Sequence, residues 1–248
     1  MVGTTEKVVN KRLARKYLGI VDCGLTSGMG EPEPGKFCVE AALCFALGME
    51  HGDEPKCVGS AVRQFKMCLN DSGWSNNKAR AKGLRRAAIA QLGSNEIDQR
   101  KFAVALDCLI IQRVIPVALR LAAQVHPNET HKAAMVAAAN RCESEGTQDA
   151  AIAASYAASA ASAASYASAA WASARAAASA ASAARAAARG ASAAACEAAC
   201  DAACDARAKD KLLATAAECA VEALIECGSP GCKWLDICGP HGILRDVT

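Results

Sequence analysis

Between Asp149 and Asp210 the chain consists almost entirely of alanine, set out in Ala-Ala-Ser and Ala-Ala-Arg triplets. No other stretch restricts the possible folds so severely. Alanine is the strongest helix former, so the segment reads as helix rather than disorder. Larger or polar residues recur at Ser159, Ser162 and Tyr166, then at Arg175, Ser179, Ser182, Arg189, Cys196, Cys200 and Cys204, in steps of mostly three and four. Positions 175, 182, 189 and 196 keep a seven-residue step. A mean period near 3.5 implies left-handed supercoiling about a partner helix.

Alanine and serine at such a seam let two backbones approach at or below the low end of the usual interaxial range of about 8–10 Å. Ser182, Ala183, Ala186 and Arg189 are the residues expected at that contact. One unbroken helix of roughly 60 residues is about 90 Å long, and Gly190 is the one plausible break. An ice-binding face of surface serines is disfavoured, because arginines interrupt it and the period follows a packing seam.

The remainder of the chain is different in kind. Hydrophobic residues make up 52% of the sequence, enough for a real core, but aromatics are only 4%, so many close contacts must substitute for a few large ones. The patterns predict an all-α fold: a helical head over residues 1–145, the alanine-rich helix over 146–210, and a C-terminal helix with a docking tail over 211–248. The first helix is expected over Glu6–Leu18, capped by Thr4 or Thr5, with Val9, Leu13 and Tyr17 inward. Glycines and prolines make 23–35 a loop. Residues 37–47 are apolar on nearly every side except Glu40, as a central helix requires.

Asp53-Glu54-Pro55 reads as the start of a helix with the stripe Val58, Val62, Phe65 and Leu69. Ser75 is expected to cap a basic helix ending at Gly93. Ser94 then caps a long helix over Glu96–Val125, striped by Phe102, Leu106, Ile110, Val114, Val117, Leu121 and Val125, with a kink near Arg113 caused by Pro116. Pro127 and Asn128 open a short helix to Cys142, followed by a polar linker over 143–148. Trp234 is expected to dock the tail.

The net charge of +3 does not select a partner. No leader is expected, since lysines and arginines crowd the first twenty residues, and no segment is expected to span a membrane, arginines and serines arguing against it in the alanine stretch. The 14 cysteines fall largely in helical patterns, as Cys38, Cys44, Cys68, Cys108, Cys219 and Cys227 do. They read as reduced thiols acting as small hydrophobes in a cytoplasmic setting.

Chemistry-bearing constellations are sparse. His51, within Glu50-His51-Gly52-Asp53-Glu54 and near Cys57, could ligate a metal or act as base to a thiol. A polar loop with an Asp53 cap is the ordinary reading, since no second ligand pair at a recognised spacing accompanies it. Cys196, Cys200 and Cys204 step by four along one helix face and could hold a soft cation if other cysteines faced them, although a small-residue seam needs the same spacing. Lys78, Arg85 and Arg86 lie on a basic helix that could touch phosphates. Without an aromatic platform or reader motif, a solvated face is the better reading, and nucleic acid is not an expected partner. Tyr156, Tyr166 and Trp171 are expected to contact the head. No catalytic motif and no cofactor is read from the sequence.

Five segments stand out: Pro34-Gly35-Lys36-Phe37-Cys38-Val39-Glu40-Ala41-Ala42, Leu47-Gly48-Met49-Glu50-His51-Gly52-Asp53-Glu54-Pro55, Lys78-Ala79-Arg80-Ala81, Ala88-Ile89-Ala90-Gln91-Leu92-Gly93 and the closing Pro230-Gly231-Cys232-Lys233-Trp234-Leu235. In these the chain resembles a group of uncharacterised phage and bacterial proteins, in which a helical head precedes Ala-Ala-x repeats. The resemblance implies a phage or mobile-element origin and supplies no activity. A non-enzymatic structural or interaction protein is the leading expectation, binding itself or another helical protein through the alanine helix. The alternatives are a phage-encoded inhibitor that binds a host protein or sequesters a small ligand, and a cysteine-lined soft-metal protein.

Overall fold

The computed structural model describes residues 9–167, 171–187, 190–202 and 206–239, which form eleven α-helices and two 3₁₀ segments packed helix against helix. Two compact units emerge, residues 1–103 with 220–248, and residues 104–219. Residues 104–145 group with the alanine-rich helices, whereas the sequence patterns place a boundary near residue 145. Helices without large side chains cannot build a core alone, and α6 and α7, expected in the head, share a unit with the alanine helices.

In the first unit α1 (Lys11–Asp22) is capped by Asn10, whose side chain accepts from Leu13 N, later than the expected threonine cap. Thr4 and Thr5 lie outside the described residues. Residues 23–38 are tied down by Thr26 N donating to Phe37 O (2.8 Å) and Glu31 N donating to Lys36 O (2.9 Å). Central α2 (Val39–Leu47) ends at Gly48 in the left-handed conformation and packs against α1, α3 (Ser60–Asp71) and α4 (Asn77–Ala90).

Helix α3 starts later than the Asp53-Glu54-Pro55 signal implied. Its cap is assembled from distant residues: Gly59 N donates to Ser94 Oγ (3.0 Å) and Ala61 N to Gln99 Oε1 (3.2 Å). Ser94 is thus spent on α3 and lies in a short 3₁₀ segment, while Asp98 accepts from Arg100 N and Lys101 N at the start of α5 (Gln99–Arg113). Asn76, not Ser75, caps α4, accepting from Lys78 N and Ala79 N. The stripe Val58, Val62, Phe65 and Leu69 is buried.

Helix α11 (Ala206–Glu226) leads to a closing 3₁₀ segment, Pro230–Cys238, packed on α4. Gly231 lies tightly against the end of α4. Its N donates to Leu92 O (2.7 Å), and a Cβ would lie 2.1 Å from Ile89 O. Trp234 is half-buried.

The second unit is built on α6 (Ile115–Val125), α7 (Glu129–Glu145), α8 (Gln148–Ala167), α9 (Trp171–Ala187) and α10 (Ser192–Ala202). Pro116 has no N–H for a bond to the preceding turn, and the helix breaks at Val114 as expected. The break also rotates the apolar stripe. Before it Phe102, Leu106, Ile110 and Val114 are buried; after it Ile115, Ala118, Leu119 and Ala122 take over, leaving Val117 and Val125 exposed.

The stretch Gln99–Val125, with mean hydropathy 2.0 in its best window, is long and apolar enough to cross a membrane by length and composition, which the sequence reading missed. Here Ile110, Ile111, Val114, Ile115 and Leu119 are enclosed by protein. The 143–148 linker shrinks to Gly146 and Thr147, since α7 runs on to Glu145.

The single long helix is replaced by separate helices folded back on one another. Gly190, at φ +70°, closes α9: its N donates to Ala187 O and Ala191 N donates to Ala186 O, the crossed pair that satisfies the last carbonyls of a helix. Helix α9 packs on α8, α10 and α6. The close partner inferred from the alanine seam is therefore the chain itself.

Candidate functional site

His51 is exposed, with Nε2 3.2 Å from Gly30 O and its ring centroid 6.0 Å from that of Phe37, so it braces the loop. Nearby Cys57 is buried, and burial raises its thiol pKa. A nucleophilic thiol needs the opposite shift. Cys196 and Cys200 are buried in α10, and desolvation pushes the Cys200 thiol up to about 12. Cys204 lies outside the described residues. Among the described residues no three His, Cys, Asp or Glu side chains gather as a metal site. Among the described residues no disulfide is formed, and Cys68 is exposed and Cys108 and Cys227 are half-buried, so those three are not the core residues their spacing suggested.

On α4 only part of the basic face is available. Lys78 is exposed and Arg86 half-buried. Arg85 clasps both carboxylate oxygens of Asp22, at 2.7 and 2.9 Å, and donates to Cys238 O. Arg80 is buried, donating to Asn70 O, Leu25 O and Asn77 Oδ1. These two arginines join elements within the fold, Arg85 by pairing with an aspartate from another helix.

The seven-residue series is corrected as well. Arg175 and Ser182 face solvent, whereas Ala174, Ala177, Ala180, Ala181, Ala183, Ala184 and Ala187 are buried. Water holds the charged and hydroxyl side chains, and the intervening alanines make the contact. Ala183 is fully enclosed and Ala186 half-buried. Arg189 lies outside the described residues.

Exposed apolar bulk collects instead on α8. Tyr156, expected against the head, is 73% exposed, and Ile152 one turn earlier is 42% exposed. Exposed Ala160 and Ala163 follow on the same side of the helix. The face therefore begins with two large side chains and continues with two methyl groups. The side chains of Tyr166 and Trp171 are outside the described set.

Two buried polar networks went unread in the sequence. In the second unit His126, 2% exposed, accepts at Nδ1 from Asn128 N (3.1 Å). The proton then resides on Nε2, which lies 3.0 Å from Ala161 O and 2.8 Å from Ser165 Oγ, with Ser173 Oγ 2.9 Å beyond. A histidine with that tautomer carries its one Nε2 proton toward Ala161 O, which can only accept, and Ser165 Oγ, and has no lone pair there to deprotonate the serine. The network ties the end of α6 to α8 and α9 rather than forming a serine nucleophile.

In the first unit Glu40 and Lys66 form an enclosed ion pair, Nζ to Oε1 3.0 Å. Tyr17 Oη donates to Val39 O (2.7 Å) and accepts from Gln91 Nε2 (3.1 Å) beside it. Burial raises the Glu40 pKa and lowers that of Lys66, with each partner's charge opposing the shift. Burial, followed by the Glu40 charge, raises the Tyr17 phenol well above its ordinary value. The exception noted at Glu40 in an otherwise apolar helix was the available signal.

No protein family, curated protein or solved structure matches this chain.

Proposed function

We propose that the chain is a non-enzymatic interaction protein, of the phage or mobile-element kind its resemblance implies, that pairs with a second copy of itself through the outer face of α8. One observation carries this reading: Ile152 and Tyr156 stand out in water on a face that continues as Ala160 and Ala163. Tyrosine supplies large, stiff contact area and is enriched where interface energy concentrates. Methyl groups, in turn, leave room for a neighbouring side chain.

The pattern is self-complementary. An antiparallel copy centred between positions 156 and 160 sets Tyr156 against Ala160 of the second copy, and the same contact recurs by symmetry. Ile152 falls opposite the Ala163 end in the same way. The inner alanine face of α9 is already occupied within the chain, so association uses the neighbouring helix rather than the seam. Light scattering of the full chain tests this, with Tyr156→Glu as the disrupting variant. A two-chain mass that falls to one chain in the variant, at unchanged melting temperature, supports the proposal. A single-chain mass for the parent at submillimolar concentration overturns it.

A further inference from the structure

The Glu40–Lys66 pair is peculiar in what it lacks. Both residues are enclosed, with side-chain exposures of 0% and 3%. Nζ lies 3.0 Å from Oε1 in an alignment short of a full hydrogen bond, and the neighbouring Gln91 Oε1 has no partner. A buried ion pair is stabilising only when good geometry and further hydrogen bonds offset the loss of water. An enclosed ion pair whose alignment falls short of a full hydrogen bond, beside an unpartnered amide oxygen, is therefore a costly arrangement.

We propose that Lys66 and Glu40 are the two halves of an intramolecular isopeptide bond, formed by the folded chain itself between α3 and α2. Lys66 Nζ, as the free amine, attacks Cδ of the Glu40 carboxylic acid. A C–N bond forms and a C–OH bond breaks. The hydroxyl departs with an amine proton as one molecule of water, so nothing is oxidised or reduced and no co-reactant is required.

The surroundings favour the reactive forms. Burial pushes Glu40 toward the neutral acid and Lys66 toward the neutral amine, the only ionisation states that condense. Helix packing holds nucleophile and electrophile together, replacing a bimolecular encounter by a fixed approach. The product replaces a buried carboxyl group and a buried amine by one neutral amide with a single N–H and a single C=O. Gln91 Oε1 is an unpartnered acceptor in the same enclosure.

Intact-mass measurement on the denatured full chain, after incubation in the folded state, reads the bond directly. The expected mass is lower than the sequence mass by one water, and proteolysis yields a branched peptide joining the segments that carry Glu40 and Lys66. Chain kept in denaturant from the start retains the full mass. Lys66→Met, which keeps a similar volume without an amine, and Lys66→Arg, which keeps the charge, both retain the full mass. A folded parent chain at full mass overturns the proposal. So does water loss that persists in the Lys66 variants or maps elsewhere.

Discussion

Gly83 and Trp74 occupy complementary space: a Cβ placed on Gly83 would lie 2.2 Å from Cη2 and 2.4 Å from Cζ3 of the indole. Trp74 is buried and its Nε1 donates to Leu69 O (2.8 Å), so the ring cannot simply swing aside. In an exposed helix, replacing glycine by alanine gains about 1 kcal/mol. Overpacking of a tight site costs about 1–3 kcal/mol and reverses the sign here. Gly83→Ala is expected to lower the melting temperature, and a rise would mean that the indole does not fill this space.

Neighbouring positions on α9 give a graded test of the alanine core. Ala183 is enclosed, Ala186 half-buried and Ser182 exposed. Leucine is nearly as good a helix former as alanine, so differences among the three leucine variants report packing rather than propensity. Ala183→Leu is expected to cost about 1–3 kcal/mol by overpacking, Ala186→Leu less, and Ser182→Leu to fall within about 0.5 kcal/mol of the parent. Equal melting curves for all three would count against an α9 packed on its alanine side.

The same residues mark how far the sequence could be read. Helix content followed from alanine propensity and from local stripes such as Val58, Val62, Phe65 and Leu69, because these depend on residues close in the chain. Which face of α9 is buried did not follow. Arginines and serines in heptad register looked like a seam, while the alanines between them carried no contrast in size or polarity. Caps supplied from a distance were equally hidden, as with Ser94 and Gln99 serving α3. The Glu40–Lys66 pair joins residues that share no local pattern, and only the exception at Glu40 hinted at it.

Asp107 in α5 gives a pH-dependent prediction. Partial burial raises its pKa from the usual value of 3.8, opposed by the hydrogen bond from Ser192 Oγ. A raised carboxylate pKa means that folding prefers the protonated acid. The contribution is most favourable below the unfolded value and is lost as pH rises through the folded value. Asp107→Asn keeps an acceptor for Ser192 and cannot ionise. Relative to the parent, it is expected to gain stability as pH rises from below about 4 toward neutrality. Denaturant titrations at several pH values check this, and a parent that gains on the variant with rising pH would reverse the assignment.

His126 offers the most direct test of the buried network in the second unit. Its ring receives the Asn128 N–H at Nδ1 and presents Nε2 to Ala161 O and Ser165 Oγ, so both nitrogens are used. Asn128 N, Ala161 O and Ser165 Oγ each meet the ring in an enclosed setting, Ser165 and Ser173 also bonding to each other. His126→Leu fills much of the volume but takes one partner from each of these three groups, at an expected cost of about 1–3 kcal/mol. Adding Ser165→Ala and Ser173→Ala to the same chain removes the two hydroxyls of the network. That triple variant is expected to recover part of the loss, because replacing all partners of a buried polar network costs less than replacing one. Denaturant melts of the parent, single and triple variants measure the coupling. Additive losses would show that the histidine and the serines do not act together, and the network would have no part in joining α6 to α8 and α9.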